Sequence, residues 1–459
     1  MTQDDPSLDS LDRRDFLKTA SVAGVGLAMS SRVGPLLAQG RSPNETVRAA
    51  VIGLNSRGLT HLQDVVRSAN AELATLCDVD AQVLAKAMDM ASKAQSKPVT
   101  AVGDFRRVLD DRDIDAVFIA MPDHWHTAAT VMALQAGKHV YVEKPASHDP
   151  HEAQLLGQAQ RQYQRVVQLG TQQRSDPRTR EVIQAIHEGL IGRAYYARAW
   201  YANKRDTIGR GKPAPVPATL DYELWQGPAP RTPYRDNIIH YNWHWFRRWG
   251  TGEICNNGTH EIDVARWALG VEYPTRVTSV GGRHHFDDDW EFYDTQDAGF
   301  EFEGRKQIVW QGRSCNPYPV ESRSRGVSVH GTGGTVVLDR NGYIVYDLDN
   351  KVVKESLAPA RTDGLNVSAD DTATQIHVDN FVAAIRTATA LHAPIEEGVK
   401  SVMLCHLGNI AQRTGRALVT DAGSGRISAD ADAMKLWRRD YAPGWEPKVS
   451  ASIDRVGKV

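Results

Sequence analysis

Val47-Arg48-Ala49-Ala50-Val51-Ile52-Gly53-Leu54-Asn55-Ser56-Arg57-Gly58 is the stretch that decides the fold. Its first six residues form an apolar run of strand length that stops at a glycine, and Arg57 to Ser68 reads as the helix that follows. The turn between them keeps the first and third glycines of GxGxxG, the arrangement in which a helix N-terminus meets a pyrophosphate. Asn55 stands at the second position, where a small residue normally lets the backbone approach phosphate. Asparagine tolerates left-handed backbone angles better than most residues, so the turn survives the exchange. Taken alone, such a turn reads equally as a structural one.

Its surroundings favour a nucleotide. The second strand, Ala71 to Cys77, ends at Asp78, twenty residues beyond Gly58. A carboxylate there accepts hydrogen bonds from both adenosine ribose hydroxyls and repels the extra phosphate of NADP, which favours NAD with NADP as the alternative. Asp80 is assigned to capping the next helix. Ile114 to Ala120, His139 to Val142 and Val166 to Leu169 read as strands, and His124 to Ala136 and Pro150 to Tyr163 as helices. That alternation predicts βαβ units and a Rossmann-type, doubly wound parallel sheet over 45–170.

Beyond it the pattern changes. Strands are expected at Ala194 to Tyr201, Thr275 to Gly281, Ala298 to Phe302, Gln307 to Gln311, Gly326 to His330 and Thr335 to Leu338. Helices are expected near Thr179 to Glu188, Thr374 to Ala388 and Gly398 to Gly415. This is an α+β domain with a large, mainly antiparallel sheet over 171–430, followed by a C-terminal arm at 431–459. The class is therefore α/β. A Gly/Pro-rich excursion from Lys204 to Arg235 is too irregular for regular elements and long enough for a functional loop.

Composition narrows the function. At 459 residues with 41% hydrophobic and 24% charged residues, the chain is ordinary globular protein. A formal net charge of -2 supplies no field for nucleic acid or an anionic membrane, so neither is expected as a partner of the mature protein. Four scattered cysteines without CxxC spacing signal no metal site and no disulfide framework, leaving room for one pair at most. Near the start, Arg13-Arg14-Asp15-Phe16-Leu17-Lys18, a small-residue apolar run from Thr19 to Met29 and a cleavage region near Ala38 look like a twin-arginine signal over 1–40, and predict a periplasmic protein.

Two segments carry a resemblance. Met121-Pro122-Asp123-His124-Trp125-His126, then Ala136-Gly137-Lys138-His139-Val140, then Glu143-Lys144-Pro145 is similar to the TPxxxH…AGKHVxxEKP pattern of the Gfo/Idh/MocA oxidoreductases. Gly252-Glu253-Ile254-Cys255-Asn256-Asn257-Gly258-Thr259-His260-Glu261-Ile262-Asp263 resembles that family's GGxxxDxGxHxxD segment. In outline the chain resembles the glucose-fructose oxidoreductase branch. The resemblance implies hydride transfer between a sugar or polyol hydroxyl and a held nicotinamide, and a homo-oligomer, dimer or tetramer, built on the face of the second sheet.

The residues agree with this chemistry. Lys144 falls after the fifth strand, at the ligand-binding edge of the sheet, and a desolvated lysine can act as acid and base near neutrality. The family assigns this lysine to the substrate hydroxyl, and the Lys144–Pro145 bond is a candidate cis peptide. His260, in the first turn of a helix, is the second catalytic candidate as a proton relay or hydrogen-bond partner of the reacting oxygen. Asp263, one turn on, is expected to orient it. Many family members carry aspartate where this chain has Asn256, which can hold a hydroxyl and cannot accept a proton.

The expected cofactor-binding set is Gly53, Asn55, Arg57, Gly58, Asp78, Pro122, Asp123, His126, Glu143 and Lys144. The expected substrate-binding set is Gln173, His244, Asn256 and Asp263. His244 is drawn from the run His240-Tyr241-Asn242-Trp243-His244-Trp245-Phe246-Arg247-Arg248-Trp249, which suits either sugar stacking or a subunit interface. Two other functions compete with simple oxidation. One is redox-neutral glycoside cleavage through a 3-keto intermediate, which Asn256 favours and Lys144 disfavours, since the family's glycosidases lack that lysine. The other is a cofactor-bound sugar sensor without catalysis.

Overall fold

Six runs of buried apolar residues, each separated from the next by at least one turn or helix, line up as one parallel sheet covered on both faces. The structure, a computed structural model, describes residues 46–358 and 372–449. The signal expected at 1–40 and the end of the C-terminal arm lie outside the described residues. Strands β1 (Val47–Ile52), β2 (Ala71–Cys77), β3 (Thr100–Val102), β4 (Ala116–Ile119), β5 (His139–Val142) and β6 (Val167–Leu169) stand in the order β3-β2-β1-β4-β5-β6. The order reverses between β1 and β4, which opens a crevice at their carboxyl ends.

Helix α1 (Arg57–Arg67) buries His61, Leu62 and Val65, an apolar stripe at helical spacing. Of helix α2 (Ala81–Ala94) the sequence reading gave only the capped start, and it passed over β3 and helix α3 (Phe105–Asp110). Helix α2 buries Ala87 and Ala91 and packs the partly buried Val83, Leu84 and Met88 on the same core. Asp80 caps α2 as expected, its side chain accepting from the Gln82 N–H.

The second sheet has nine strands in the order β14-β13-β12-β11-β7-β10-β9-β8-β15. These are β7 (Ala194–Ala202), β8 (Arg276–Gly282), β9 (Thr295–Phe302), β10 (Lys306–Arg313), β11 (Arg325–Gly331), β12 (Gly334–Asp339), β13 (Gly342–Tyr346), β14 (Val352–Leu357) and β15 (Leu418–Val419). All neighbours run antiparallel except β7 and β10, which are parallel, so the sheet is mixed and mostly antiparallel. Strands β13 and β14 extend it beyond the runs legible in the sequence.

Two helices join the sheets. The helix Gly258–Leu269 packs across β7, β10 and β11, and the helix Ile395–Thr414 packs on it, on β8 and on Pro150–Tyr163 of the first layer. One continuous apolar core results, running from Ile52 through Ile254 and Phe300 to Leu404. All four cysteines are buried and unpaired.

The excursion after β7 builds a small core of its own around Tyr222, Trp225, Trp243 and Trp249, and contains the short helix Tyr222–Gln226. It is sewn to the end of β2: the Ala81 N–H donates to the Thr219 carbonyl at 2.9 Å and the Asp221 N–H to the Val79 carbonyl at 3.0 Å. The excursion thus stands over the crevice. The described part of the C-terminal arm lies on the chain's own first layer, where Arg439 and Tyr441 both bond Glu152 at 2.8 Å and Trp445 meets Trp125 edge-on.

Candidate active site

A cleft of about 750 Å³ runs along the carboxyl edge of the first sheet, with the excursion and the second sheet as its far wall. The glycine turn forms one end. Gly53 has φ +84°, and a Cβ added there would stand 2.7 Å from the Ala120 main chain; a Cβ on Gly58 would stand 1.8 Å from the Gly53 carbonyl oxygen. Gly58 therefore packs beneath the turn instead of lining the cleft. The second left-handed residue is Ser56, φ 63°, so the tolerance expected of Asn55 is not what shapes the loop. Asn55 lines the cleft.

These residues fit a dinucleotide. The two glycines let the turn pack tightly on its own main chain, and Gly53, Leu54, Asn55 and Ser56 then line the cleft. Arg57 opens α1 and lines the cleft, and its Nη2 is buried without a hydrogen-bond partner among the described residues. Asp78 holds the loop by accepting from the Leu54 N–H at 2.7 Å and the Asp80 N–H at 2.9 Å. Each oxygen keeps a further lone pair for a ribose hydroxyl. Burial raises the Asp78 carboxyl above its ordinary value, against the pull of those two N–H groups.

At the end of β5, Glu143 is a buried brace. It accepts from Arg57 Nε at 2.8 Å and Gln172 Nε2 at 3.1 Å, and contacts His61 Nε2 at 2.9 Å. Burial would raise its pKa, but the Arg57 charge and the His61 bond hold the carboxyl well below the usual carboxylate range. His126 ties the strand ends together, with Nδ1 on the Pro145 carbonyl at 2.5 Å and Nε2 on the Met121 carbonyl at 2.7 Å. The Lys144–Pro145 bond is cis.

Lys144 is the centre of the deep part. Its Nζ donates to the main-chain oxygen of Asn256 at 2.7 Å and to Asn256 Oδ1 at 2.9 Å. Burial lowers its pKa from the ordinary lysine value, with Glu143 and Asp123 opposing. Asp123 accepts from Thr251 Oγ1 at 2.5 Å, and burial pushes its carboxyl up. His260 and His244 line the same cleft, and burial holds both imidazoles well below the usual histidine range, helped for each by the Lys144 charge. A neutral His244 donates from Nδ1 to the Tyr241 carbonyl at 2.6 Å, which leaves Nε2 as the acceptor.

Two expectations are corrected. Asp263 is not in the cleft and does not serve His260; it forms a buried pair with Arg174, at 2.6 and 2.9 Å, and accepts from Ser401 Oγ at 2.6 Å. Its helix turns it into the protein, where a guanidinium needs an anion. Gln173 is likewise buried away from the cleft, and its neighbour Gln172 lines it. Tyr201, Arg205 and Arg325 line the cleft and were missed by the sequence reading, while Tyr241 and Asn257 line it from within the quoted segments without having been singled out. Glu253, which holds Arg205 from behind, stood within the quoted GGxxxDxGxHxxD-like segment and was the available signal.

A doubly wound sheet with a glycine turn at its switch point, facing a lysine-centred polar cluster, defines the class of NAD-binding Rossmann oxidoreductases. Residues 47–171 match the model described as "Oxidoreductase family, NAD-binding Rossmann fold", and residues 196–315 match "Oxidoreductase family, C-terminal alpha/beta domain". The chain belongs to the Gfo/Idh/MocA oxidoreductase family.

Among curated relatives it is 28% identical over 220 residues to a glycosyl hydrolase family 109 protein of Saccharopolyspora erythraea, covering 44% of this chain and 48% of the relative. It is 26% identical over 217 residues to an alpha-N-acetylgalactosaminidase of Shewanella oneidensis, covering 43% and 47%. The chain thus spans about half the length of the curated relatives it matches. Among solved structures, the WlbA dehydrogenase of Bordetella pertussis, in complex with NADH and UDP-GlcNAcA, superposes with a TM-score of 0.62 at 18% identity, over 82% of this chain and 99% of that one. A levoglucosan dehydrogenase, in complex with NADH and levoglucosan, gives 0.63 at 17% identity over 82% and 99%. At these identities the likeness shows the fold alone.

Proposed function

We propose that this protein moves a hydride between a carbon bearing a sugar or polyol hydroxyl and a nicotinamide dinucleotide held in the cleft. The observation that carries the reading is that Lys144, Asn256 and His260 line the same cleft as the glycine turn and Asp78. Asp78 would hold the adenosine ribose, and the turn with Arg57 the pyrophosphate. When bound, the nicotinamide supplies the hydride acceptor or donor. Lys144, anchored through two N–H groups on Asn256, is the group that takes the hydroxyl proton, and its lowered pKa suits it to do so near neutrality. His260 hydrogen-bonds the reacting oxygen. The dehydrogenases of like fold bind NADH together with carbohydrate ligands, which supports this substrate class.

The test is to incubate the purified protein with a panel of sugars, polyols and aryl glycosides while following bound-cofactor absorbance at 340 nm and aglycone release. Lasting reduction without release is the expected result. Release without net reduction would establish the second reading, redox-neutral glycoside cleavage, which the curated glycosidase relatives and the amide at position 256 support. Binding of sugar without either signal would leave a sensor. The leader sequence around Arg13-Arg14 supports export to the periplasm in folded form, and the exposed Val352, Val353 and Leu357 of edge strand β14 support self-association through the second sheet. Cell fractionation and sedimentation of the purified protein test these two points.

A further inference from the structure

Among the described residues, Tyr241 is the exposed large hydrophobic side chain that lines the cleft; it is 48% exposed, while His260 is 6% exposed. The ring is fixed through its hydroxyl. Its hydroxyl accepts from Arg205 Nη1 at 2.8 Å. Arg205 is itself immobilised: Nε and Nη2 meet the two oxygens of buried Glu253 at 2.6 and 3.2 Å, and the guanidinium lies 4.7 Å from the Trp245 ring. Glu253 is held in turn by Asn257 Nδ2 at 2.5 Å and Ser314 Oγ at 3.1 Å, and Trp245 stacks on Trp290 at 3.9 Å.

The position of the ring along the cleft matters. The His244 ring lies 4.7 Å from that of Tyr241, and both side chains line the cleft together with Lys144 and His260. The cleft thus runs from the buried His260 to the half-exposed Tyr241, which marks its solvent side.

We propose that Tyr241 is the stacking platform of an outer subsite, and that the substrate is a glycoside whose second ring lies on it. This rests on the carbohydrate reading above and narrows it from free monosaccharides to two-ring compounds. A preorganised tyrosine offers a flat apolar face at no further ordering cost, which is what the hydrogen-rich face of a sugar or an aryl ring stacks on.

The experiment is calorimetric binding of matched pairs, the methyl and the 4-nitrophenyl glycosides of glucose, galactose and N-acetylgalactosamine, to the NAD-loaded protein. For the sugar it accepts, the wild type should bind the 4-nitrophenyl glycoside about tenfold more tightly than the methyl glycoside, a gain of about 1.4 kcal/mol. Tyr241→Ala should erase that gain and leave methyl glycoside binding unchanged, while Tyr241→Phe should keep most of it. Retained NAD absorbance in both variants checks that they are folded. Equal affinities for the pair in the wild type, or a Tyr241→Ala loss shared by both ligands, would overturn the outer subsite while leaving the carbohydrate reading standing. Failure of every glycoside and free sugar to bind the wild type would remove both.

Discussion

Lys144 Nζ donates to both carbonyl oxygens of Asn256, main chain and side chain. An amide at this position anchors the amine without supplying the negative charge that would keep it protonated. Replacing Asn256 with Asp puts a carboxylate about 3 Å from Nζ, and an opposite charge that near favours the ammonium. The acidic limb of kcat/KM for oxidation, which reports the amine that must be deprotonated, should move up by about 1 to 2 pH units. A pH profile whose limb stays in place would separate Lys144 from the proton-transfer step.

Lys144→Ala should lower turnover by about 10² to 10⁴, the usual contribution of a general base. NAD affinity, measured by fluorescence titration, should stay within a few-fold of wild type, because the glycine turn and Asp78 do not depend on the amine. Full activity in this variant would withdraw the assignment.

Gly58→Ala should disable the cofactor site and not merely soften it. The new Cβ would stand 1.8 Å from the Gly53 carbonyl oxygen, a backbone atom that cannot move without opening the turn. NAD affinity should fall by at least about 100-fold, or about 3 kcal/mol. Equilibrium dialysis with labelled NAD reads this directly, and near-normal binding would mean that phosphate does not sit on this turn.

Asp263→Ala should destabilise without touching the chemistry. It strands the Arg174 guanidinium, which is 6% exposed, and breaking a buried pair from one side costs about 3 to 5 kcal/mol. Urea denaturation should show that loss, while the shape of the activity pH profile stays that of the wild type. A shifted profile would restore Asp263 to a role beside His260.

Stability should fall as the solution is acidified below neutrality. Burial lowers His124, His377 and His406 to about 3 each. Their unfolded counterparts titrate near 6.5, so between about 6.5 and 3 the unfolded chain binds more protons, and each imidazole subtracts about 1.4 kcal/mol per pH unit. Asp149 works the other way: burial and the neighbouring Glu152 raise it to about 7, so its contribution grows as pH falls from about 7 toward its unfolded value. Among these four groups, three losses against one gain amount to a decrease on the order of 2 kcal/mol between pH 7 and 5.5, and the buried His139, lowered to about 4, adds to it. Urea midpoints across that range measure it, and a flat or rising stability would contradict the buried neutral imidazoles.

Much of the first sheet was legible in advance because its determinants are local. The limits of β2 and β5 and of the helix Pro150–Tyr163 coincide with the expected ones, since each is a short apolar or amphipathic run bounded by polar or turn residues. That Asp78, Lys144 and His260 line one cleft was expected for the same reason: each follows a strand end or opens a helix at a recognisable spacing. Of helix α2 the capping Asp80 was read in advance, while strand β3 and helix α3, three and six residues long, were not.

By itself, then, the sequence determined the parallel sheet, the place of its crevice and the lysine at that crevice, because strand runs, glycine turns and strand-end motifs are properties of neighbouring residues. Tertiary structure alone decided that Asp263 answers Arg174 and not His260, that Gln172 and not Gln173 reaches the cleft, and that Glu253 clamps Arg205 and through it Tyr241. Those partners are 48 to 89 residues apart for the two ion pairs. A buried charge selects its counter-ion by distance in space, which no spacing along the chain encodes.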